Sequence, residues 1–218
     1  MKKLKLLSGV ICAGAMSFGI AQAQSFDFDG MTAGQSIDKA DATFSVINLD
    51  GSDISAIVSS EQAYSGSNSV KLMDGSATTK PYLHKAFANG AAAEGKVSVK
   101  VYTAGSNGKS TYVAIGKDVT VDGVERYLEI QSTGSGKVKF EAGKSDPEIS
   151  QVQRDTWNEY VIEWAEGSFS LTINGELIED GLPIVDPDNV PTGIVIYTGD
   201  NKSTGNVAYV DDLSSDLF

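Results

Sequence analysis

Residues that build thiol and metal sites are nearly absent from this sequence. The 218 residues include one cysteine, Cys12, and one histidine, His84. Cys12 lies in an N-terminal segment that we predict to be removed, so the mature chain is expected to have no disulfide, no cysteine nucleophile and no thiolate metal site. With a single histidine, a catalytic zinc site built on several imidazoles is excluded.

Positive charge is also scarce. Lys and Arg total 17 against 29 Asp and Glu, which gives a formal net charge of −12. Nucleic-acid binding depends on a basic surface, so no nucleic-acid partner is predicted. An anionic partner would need a local basic patch, and the sequence has only two arginines, Arg126 and Arg154.

The N-terminus has the pattern of an export signal. Lysines at positions 2, 3 and 5 precede an apolar stretch over residues 6–20, which closes on Ala21-Gln22-Ala23. This pattern predicts a secretory signal peptide over residues 1–23 and a secreted or periplasmic product. No later segment approaches the roughly 20 apolar residues that span a bilayer, so no membrane partner is predicted.

Residues 24–218 alternate apolar and polar positions and show no convincing helical period. Glycine, asparagine, serine and aspartate clusters separate the alternating runs, and Asn174-Gly175 is a strong hairpin signal. About a dozen short strands predict one all-β domain over 24–218, an antiparallel two-sheet sandwich or jelly roll. The proline-containing stretch from Gly181 to Pro191 is predicted to be a loop that crosses between sheets.

Two groups of residues carry a family resemblance. The segment from Trp157 to Trp164, followed by the strand Phe169 to Ile173 and the Asn174-Gly175 turn, resembles paired strands of concanavalin A-like lectin and glucanase jelly rolls. The opening residues 26–30 and closing residues 208–213 are similar to the first and last strands of that group. The resemblance implies a concanavalin A-like jelly roll, a fold that carries lectins, hydrolases, lyases and inert modules alike.

A glycoside hydrolase would need two carboxylates flanking the scissile bond. Laminarinase-like members of the fold carry them as Glu-x-Asp-x-Glu on one strand. Here Glu159 and Glu163 match the outer pair, but Val161 stands at the middle position, and the segment resembles the strand after the catalytic one. We interpret both glutamates as part of a solvated outer face.

Three predicted strands turn polar and aromatic side chains away from their buried positions. Burying Leu83 and Phe87 turns Tyr82 and His84 together to the other face. The same alternation over residues 96–102 and 127–131 exposes Lys100, Tyr102, Tyr127, Glu129 and Gln131. If the three strands share one sheet, these side chains form a tyrosine-rich groove with the features of a sugar cleft.

Jelly-roll polysaccharide lyases carry such residues on the concave face of one sheet, so the resemblance implies a lyase that cleaves a uronate-containing glycan. β-Elimination needs a base, a group that neutralises the carboxylate, and an acid for the leaving oxygen. His84 or Tyr102 is expected to act as the base, and Tyr127 or Tyr102 as the acid. Lys100 and Gln131 are expected to contact the carboxylate. Tyr82 and Glu129 are expected to make further contacts with the substrate.

Alternatives to the lyase stay open. The arginine-rich and Gln-Ile-His motifs of alginate-lyase jelly rolls do not occur in the sequence. A non-catalytic carbohydrate-binding protein would use the same groove without turnover. A structural envelope protein without a sugar site would also suit the acidic composition. Trp164 is in register with Tyr160 and Ile162 and is predicted to be core, whereas Trp157 is interpreted as a packing residue rather than a sugar platform.

The resemblance also implies a structural Ca²⁺ site, because many jelly rolls of this kind hold their terminal strands with one ion. Calcium binds carboxylate and backbone oxygens. If the first and last strands pair, the candidate ligands are Asp27, Asp29, Asp211 and Asp212. The alternative is that these residues are solvated acids that deter edge-to-edge aggregation.

Overall fold

A computed structural model describes residues 23–47, 55–77, 80–104, 108–120, 123–141, 146–199 and 204–218. Apart from Ala23, the predicted signal peptide lies outside the described residues. The described ranges form fifteen strands and one short helix: β1 (Gln24–Phe26), α1 (Ile37–Ala40), β2 (Phe44–Ile47), β3 (Ser55–Ser59), β4 (Ser69–Asp74), β5 (Tyr82–Ala86), β6 (Gly95–Ala104), β7 (Gly108–Thr120), β8 (Gly123–Gly134), β9 (Lys137–Phe140), β10 (Glu148–Gln151), β11 (Trp157–Ala165), β12 (Ser168–Ile173), β13 (Glu176–Pro183), β14 (Gly193–Thr198) and β15 (Asn206–Ser215).

The strands form two antiparallel sheets. The eight-stranded sheet has the order β13-β12-β11-β6-β15-β4-β3, and β1 pairs with β15 beside this path. The seven-stranded sheet has the order β10-β9-β8-β7-β14-β5-β2. The predicted all-β, two-sheet jelly roll is confirmed. Within the described ranges, no helix is long and apolar enough to cross a membrane.

The main core lies between the two sheets and follows the predicted alternation. Val97, Val99 and Val101 on β6 are at most 2% exposed, and Ile162 and Trp164 on β11 are equally buried. Each such side chain contributes roughly 1.5–3 kcal/mol by leaving water. The predicted core position of Trp164 is therefore confirmed, and its indole Nε1 donates to the carbonyl of Ala92 at 3.0 Å.

The Asn174-Gly175 hairpin is also confirmed. These residues have φ of 51° and 82° and join β12 to β13. Asparagine and glycine tolerate this left-handed region, which matches the twist of a two-residue hairpin. The predicted crossing loop begins later than expected, because β13 extends to Pro183 before the chain passes to the other sheet. Proline is tolerated there because β13 is an edge strand.

The three strands predicted to share one sheet do not do so. β5 and β8 belong to the seven-stranded sheet, whereas β6 belongs to the eight-stranded sheet between β11 and β15. Alternation shows which side chains share one face of a strand, but both sheets of a sandwich have the same period of two. The sequence therefore could not assign β6 to a sheet, and the prediction of one shared groove is wrong.

A bulge in β8 overturns one further prediction. Gly116 of β7 pairs with Arg126 and Ile115 pairs with Leu128, so Tyr127 has no partner between them. A bulge inserts one residue and re-aims the side chains that follow it. Tyr127 is 3% exposed and packs in the main core. It does not lie on the outer face, and it is not available as an acid there.

Candidate functional site

The outer face of the seven-stranded sheet gathers aromatic and polar side chains from four neighbouring strands. Two rows cross the strands in register. One row runs from Tyr82 through Tyr197 and Tyr112 to Gln131, and the next from His84 through Val195 and Ala114 to Glu129. With Arg126, which the bulge turns outward, these rows define what we call the tyrosine face.

The three tyrosine rings contact one another in a row, with Tyr112 stacked on Tyr197 and Tyr82 tilted against it. The ring centroids of Tyr82 and Tyr197 are 4.9 Å apart, and those of Tyr112 and Tyr197 are 4.4 Å apart at an interplanar angle of 8°. The Lys80 ammonium lies 5.2 Å from the Tyr197 centroid and 5.5 Å from that of Tyr112. Burial raises the pKa of all three phenols, so each phenol is protonated at neutral pH and can donate a hydrogen bond.

Gln131 fixes the most accessible of these phenols. Its Nε2 donates to Tyr112 Oη and to Ser110 Oγ, both at 2.9 Å. Tyr112 and Gln131 are half-buried, whereas Tyr82 and Tyr197 are buried. Tyr82 and Tyr197 therefore position the Tyr112 ring, and Tyr112 and Gln131 present polar atoms outward.

A buried carboxylate anchors the other end of the face. Glu129 is 0% exposed; its Oε2 accepts the Tyr197 hydroxyl at 2.7 Å, and its Oε1 forms an ion pair with Arg126 Nε at 2.9 Å. Burial is the largest single influence and would lower the pKa of Arg126, but the charge of Glu129 and the hydrogen bonds to Glu129 and Tyr197 together outweigh burial and raise it. The Arg126 side chain is 46% exposed, so a permanently charged guanidinium reaches solvent beside the tyrosines.

His84 lies on the same face in a tight setting. Its Nε2 is buried and, among the described residues, has no hydrogen-bond partner. A Cβ at Gly193 would come within 2.6 Å of Nε2, so the imidazole occupies space that only a glycine leaves open. Burial, with a contribution from Lys85, lowers the pKa of His84, which makes the imidazole neutral at neutral pH.

The structure brings four predicted site residues together and separates three others from them. Tyr82, His84, Glu129 and Gln131 share the tyrosine face, although Glu129 is fully buried rather than exposed. Lys100 and Tyr102 lie on β6, with Lys100 Nζ 2.8 Å from Glu159 and the Tyr102 ring beside Trp157. Since β6 is in the opposite sheet, Lys100 and Tyr102 cannot act with His84 on one sugar, and that assignment is wrong. Tyr127 is in the core.

The sequence reasoning missed Tyr112, Tyr197 and Arg126. Tyr112 and Ala114 alternate with Val113 and Ile115 on β7, and this pattern could have placed Tyr112 outward. Tyr197 follows an apolar run on β14 in which every residue is buried, so no alternation marked its face. Arg126 reaches the face only because of the bulge, and no local sequence pattern predicts that bulge.

The predicted calcium ligands approach one loop but do not converge. β1 pairs with β15 as expected. Asp29 Oδ1 accepts hydrogen bonds from the backbone amides of Ser67 and Asn68 at 2.6 and 3.0 Å. Asp211 Oδ2 accepts hydrogen bonds from the backbone amides of Tyr64 and Ser65 at 2.8 and 3.2 Å. Asp212 Oδ1 accepts a hydrogen bond from the Ser65 hydroxyl at 2.7 Å.

These contacts do not fit a calcium site. N–H donors that point at carboxylate oxygens occupy the positions a cation would need. Within the described ranges, no three His, Cys, Asp or Glu side chains form a group that could hold a metal, and this includes Asp27 with the other three aspartates. Calcium binding stays a prediction without geometric support; comparing melting temperatures with calcium and with chelator tests it.

Solved structures provide the comparison with known proteins. A sialidase superposes with a TM-score of 0.67 at 10% identity, over 89% of this chain but 18% of its own. The cellulose-induced protein Cip1 superposes with a TM-score of 0.63 at 18% identity, over 88% of this chain and 96% of its own. LamAcat from Zobellia galactanivorans superposes with a TM-score of 0.57 at 11% identity, over 88% of this chain and 96% of its own.

The fold is the concanavalin A-like jelly roll. The likeness covers both sheets, because nearly nine-tenths of the chain is matched in each of the three comparisons. At identities below a fifth it shows the fold and not the chemistry. No family model and no curated protein matches the sequence.

Within this jelly roll, Glu159 and Glu163 lie on β11 of the eight-stranded sheet. Glu159 pairs with Lys100 at 2.8 Å and Glu163 with Lys96 at 2.6 Å. Both carboxylates are partly solvent-exposed, at 31% and 55%. This agrees with the interpretation of a solvated outer face.

Proposed function

We propose that the tyrosine face binds an acidic polysaccharide. The observation that carries the proposal is the half-exposed Arg126 guanidinium, held by buried Glu129 next to the stacked tyrosines. A guanidinium binds a carboxylate through two parallel hydrogen bonds, and aromatic rings pack against sugar rings while hydroxyl and amide groups orient them. Tyr112, Gln131 and Arg126 are the side chains placed to make these contacts.

Charge supports an acidic ligand at this place despite the acidic chain. The Arg126 side chain is 46% exposed although it pairs with Glu129, and the Lys80 ammonium lies over the Tyr112 and Tyr197 rings. The carbohydrate-related names of the superposed structures, among them a sialidase and a cellulose-induced protein, give further support for a glycan ligand.

We expect Tyr112→Ala to weaken glycan binding by about tenfold, because it removes the accessible ring of the stack. Affinity electrophoresis in gels with alginate, glucuronan, ulvan or pectin measures this effect. Leu177→Ala, which shortens an exposed side chain on the edge strand β13 of the opposite sheet, is the control and should bind as the wild type does. Failure of the wild-type protein to bind all four glycans, or equal binding by Tyr112→Ala, contradicts the proposal.

Cleavage by β-elimination is the second candidate function, favoured by one observation. A neutral imidazole, protonated phenols and a guanidinium lie on one face. His84 would take the proton beside the carboxylate through Nδ1, since Nε2 is buried against Gly193. Arg126 with Gln131 would neutralise that carboxylate, and Tyr112 would protonate the leaving oxygen. The C–H and glycosidic C–O bonds break and a carbon–carbon double bond forms. Arg126 and Tyr112 here replace Lys100 and Tyr127 of the sequence-based hypothesis.

If elimination occurs, His84→Gln is expected to lower turnover by about a hundredfold, the usual contribution of a positioned base. The ultraviolet absorbance of the unsaturated uronate measures product, and circular dichroism checks the fold. Unchanged turnover in His84→Gln would remove His84 from the mechanism. Binding by the wild-type protein without any product would leave the non-catalytic function alone.

A further inference from the structure

A second aromatic cluster lies on the outer face of the eight-stranded sheet, on the other side of the molecule from the tyrosine face. Register places Trp157 of β11 opposite Tyr102 of β6, and Tyr102 opposite Tyr209 of β15. Ring centroids are 5.6 Å apart for Tyr102 and Trp157, 5.8 Å for Tyr102 and Tyr209, and 6.1 Å for Tyr64 and Trp157. We call these four residues the aromatic strip.

Core packing does not explain the strip. The main core lies on the inner face of this sheet and includes Val101, Tyr160 and Ile162, but none of the four strip residues. Tyr64 is 49% exposed, and Tyr102 and Trp157 are half-buried. Partly accessible aromatic rings grouped on one outer face are a candidate interaction surface. Trp157 packs against Tyr102 and Tyr64 on this outer face and lies outside the main core.

The strip is balanced in charge. Lys100 Nζ lies 4.4 Å from the Tyr64 centroid and 2.8 Å from Glu159. Lys71 pairs with Glu61 at 2.8 Å, and the same carboxylate accepts the Tyr209 hydroxyl at 2.8 Å. A uronate would have to compete with a carboxylate already bound to each ammonium, whereas an uncharged sugar would not. On the tyrosine face Arg126 is likewise paired, with Glu129, but its side chain is 46% exposed, whereas the Lys100 and Lys71 side chains are only 14% and 16% exposed.

The exposed end of the strip is fixed in place. Asp211 is 0% exposed, and its Oδ2 accepts the backbone amides of Tyr64 and Ser65 at 2.8 and 3.2 Å. Ser65 Oγ also donates to Asp212 at 2.7 Å. These contacts hold the backbone that carries the Tyr64 ring, so less conformational freedom is lost when a ligand arrives.

We propose that the aromatic strip binds an uncharged polysaccharide built of hexopyranose units, as a second glycan site separate from the tyrosine face. The apolar C–H faces of successive sugars pack on Trp157, Tyr102 and Tyr64. Their hydroxyls reach the ion-pair oxygens of Glu159 and Glu61. The site needs no metal and no charge on the sugar.

Tryptophan fluorescence tests the proposal directly, because the chain has two tryptophans. Trp164 is buried in the core, so a ligand on the strip changes the emission of Trp157. Titration with laminarin, cello-oligosaccharides and galactomannan should give a saturable change with at least one of them, insensitive to added salt. Trp157→Phe should abolish the change, and Tyr64→Ala should weaken binding by about tenfold.

Matched variants separate this site from the tyrosine face. Tyr112→Ala should bind the neutral glycan as the wild type does, and alginate should leave the Trp157 emission unchanged. No binding of any of the three neutral glycans, or equal affinity in Tyr64→Ala and wild type by calorimetry, overturns the proposal. Because the ligands and the variants differ, either proposed site can fail while the other stands.

Discussion

Replacing Glu129 with alanine is expected to lower the free energy of unfolding by about 3 kcal/mol, the lower end of the cost of removing one partner from a buried ion pair. The Tyr197 hydroxyl, 2.7 Å from Glu129 Oε2, would stay buried without its acceptor. Arg126 would lose the charge that holds it, but its side chain is 46% exposed and can turn to water. In a chain of this size the melting temperature should fall by roughly 6–12 °C.

Urea denaturation of two further variants isolates the cause. Glu129→Gln keeps an acceptor for Tyr197 and the side-chain volume, so it should lose less stability than Glu129→Ala. Glu163→Ala breaks an ion pair with Lys96 in which both side chains are more than half exposed, and exposed pairs contribute about 0–1 kcal/mol. Equal losses in Glu129→Ala and Glu163→Ala would show that the buried network is not what stabilises this face.

The sequence was informative where structure is local. Alternation identified the strands and turned Tyr82 and His84 to one face, because period two is a property of a single strand. Asn174 and Gly175 gave the hairpin because their tolerance of positive φ is a property of the residues themselves. Each of these inferences needed no knowledge of which strands are neighbours.

The candidate site was only half predictable, because which strands pair in a sheet depends on residues far apart in the sequence. Nothing in residues 96–102 states that β6 pairs with β11 and β15, so Lys100 and Tyr102 were placed with the wrong partners. The bulge at Tyr127 exchanges it with Arg126 and depends on how β7 registers against β8. Because of these errors, the sequence analysis predicted one groove, whereas the structure has two separate aromatic surfaces.

Wild-type stability is expected to fall, relative to Asp211→Asn, by about 2 kcal/mol as the pH rises from 4 to 7, which is most of the roughly 3 kcal/mol that the whole pKa shift contributes at about 1.4 kcal/mol per unit. Burial raises the pKa of Asp211 from 3.8 to about 6, against the opposing effect of the amides of Tyr64, Asp212 and Ser65. A carboxyl with a folded pKa above its unfolded value binds more protons in the folded state. Its contribution is therefore fully present below pH 3.8 and is lost as the pH rises through about 6.

Asparagine does not titrate, so the difference in unfolding free energy between the two proteins isolates Asp211 from the other acids. Urea denaturation at several pH values between 4 and 7 measures that difference. His84, whose lowered pKa makes the folded state less stable as the pH falls below 6.5, is present in both proteins and cancels. A difference that is flat over this range would mean that Asp211 is ionised throughout, and that its amide contacts outweigh its burial. The same Asp211 contacts hold Tyr64, so Asp211→Asn should also weaken neutral-glycan binding at the aromatic strip while leaving the tyrosine face unchanged.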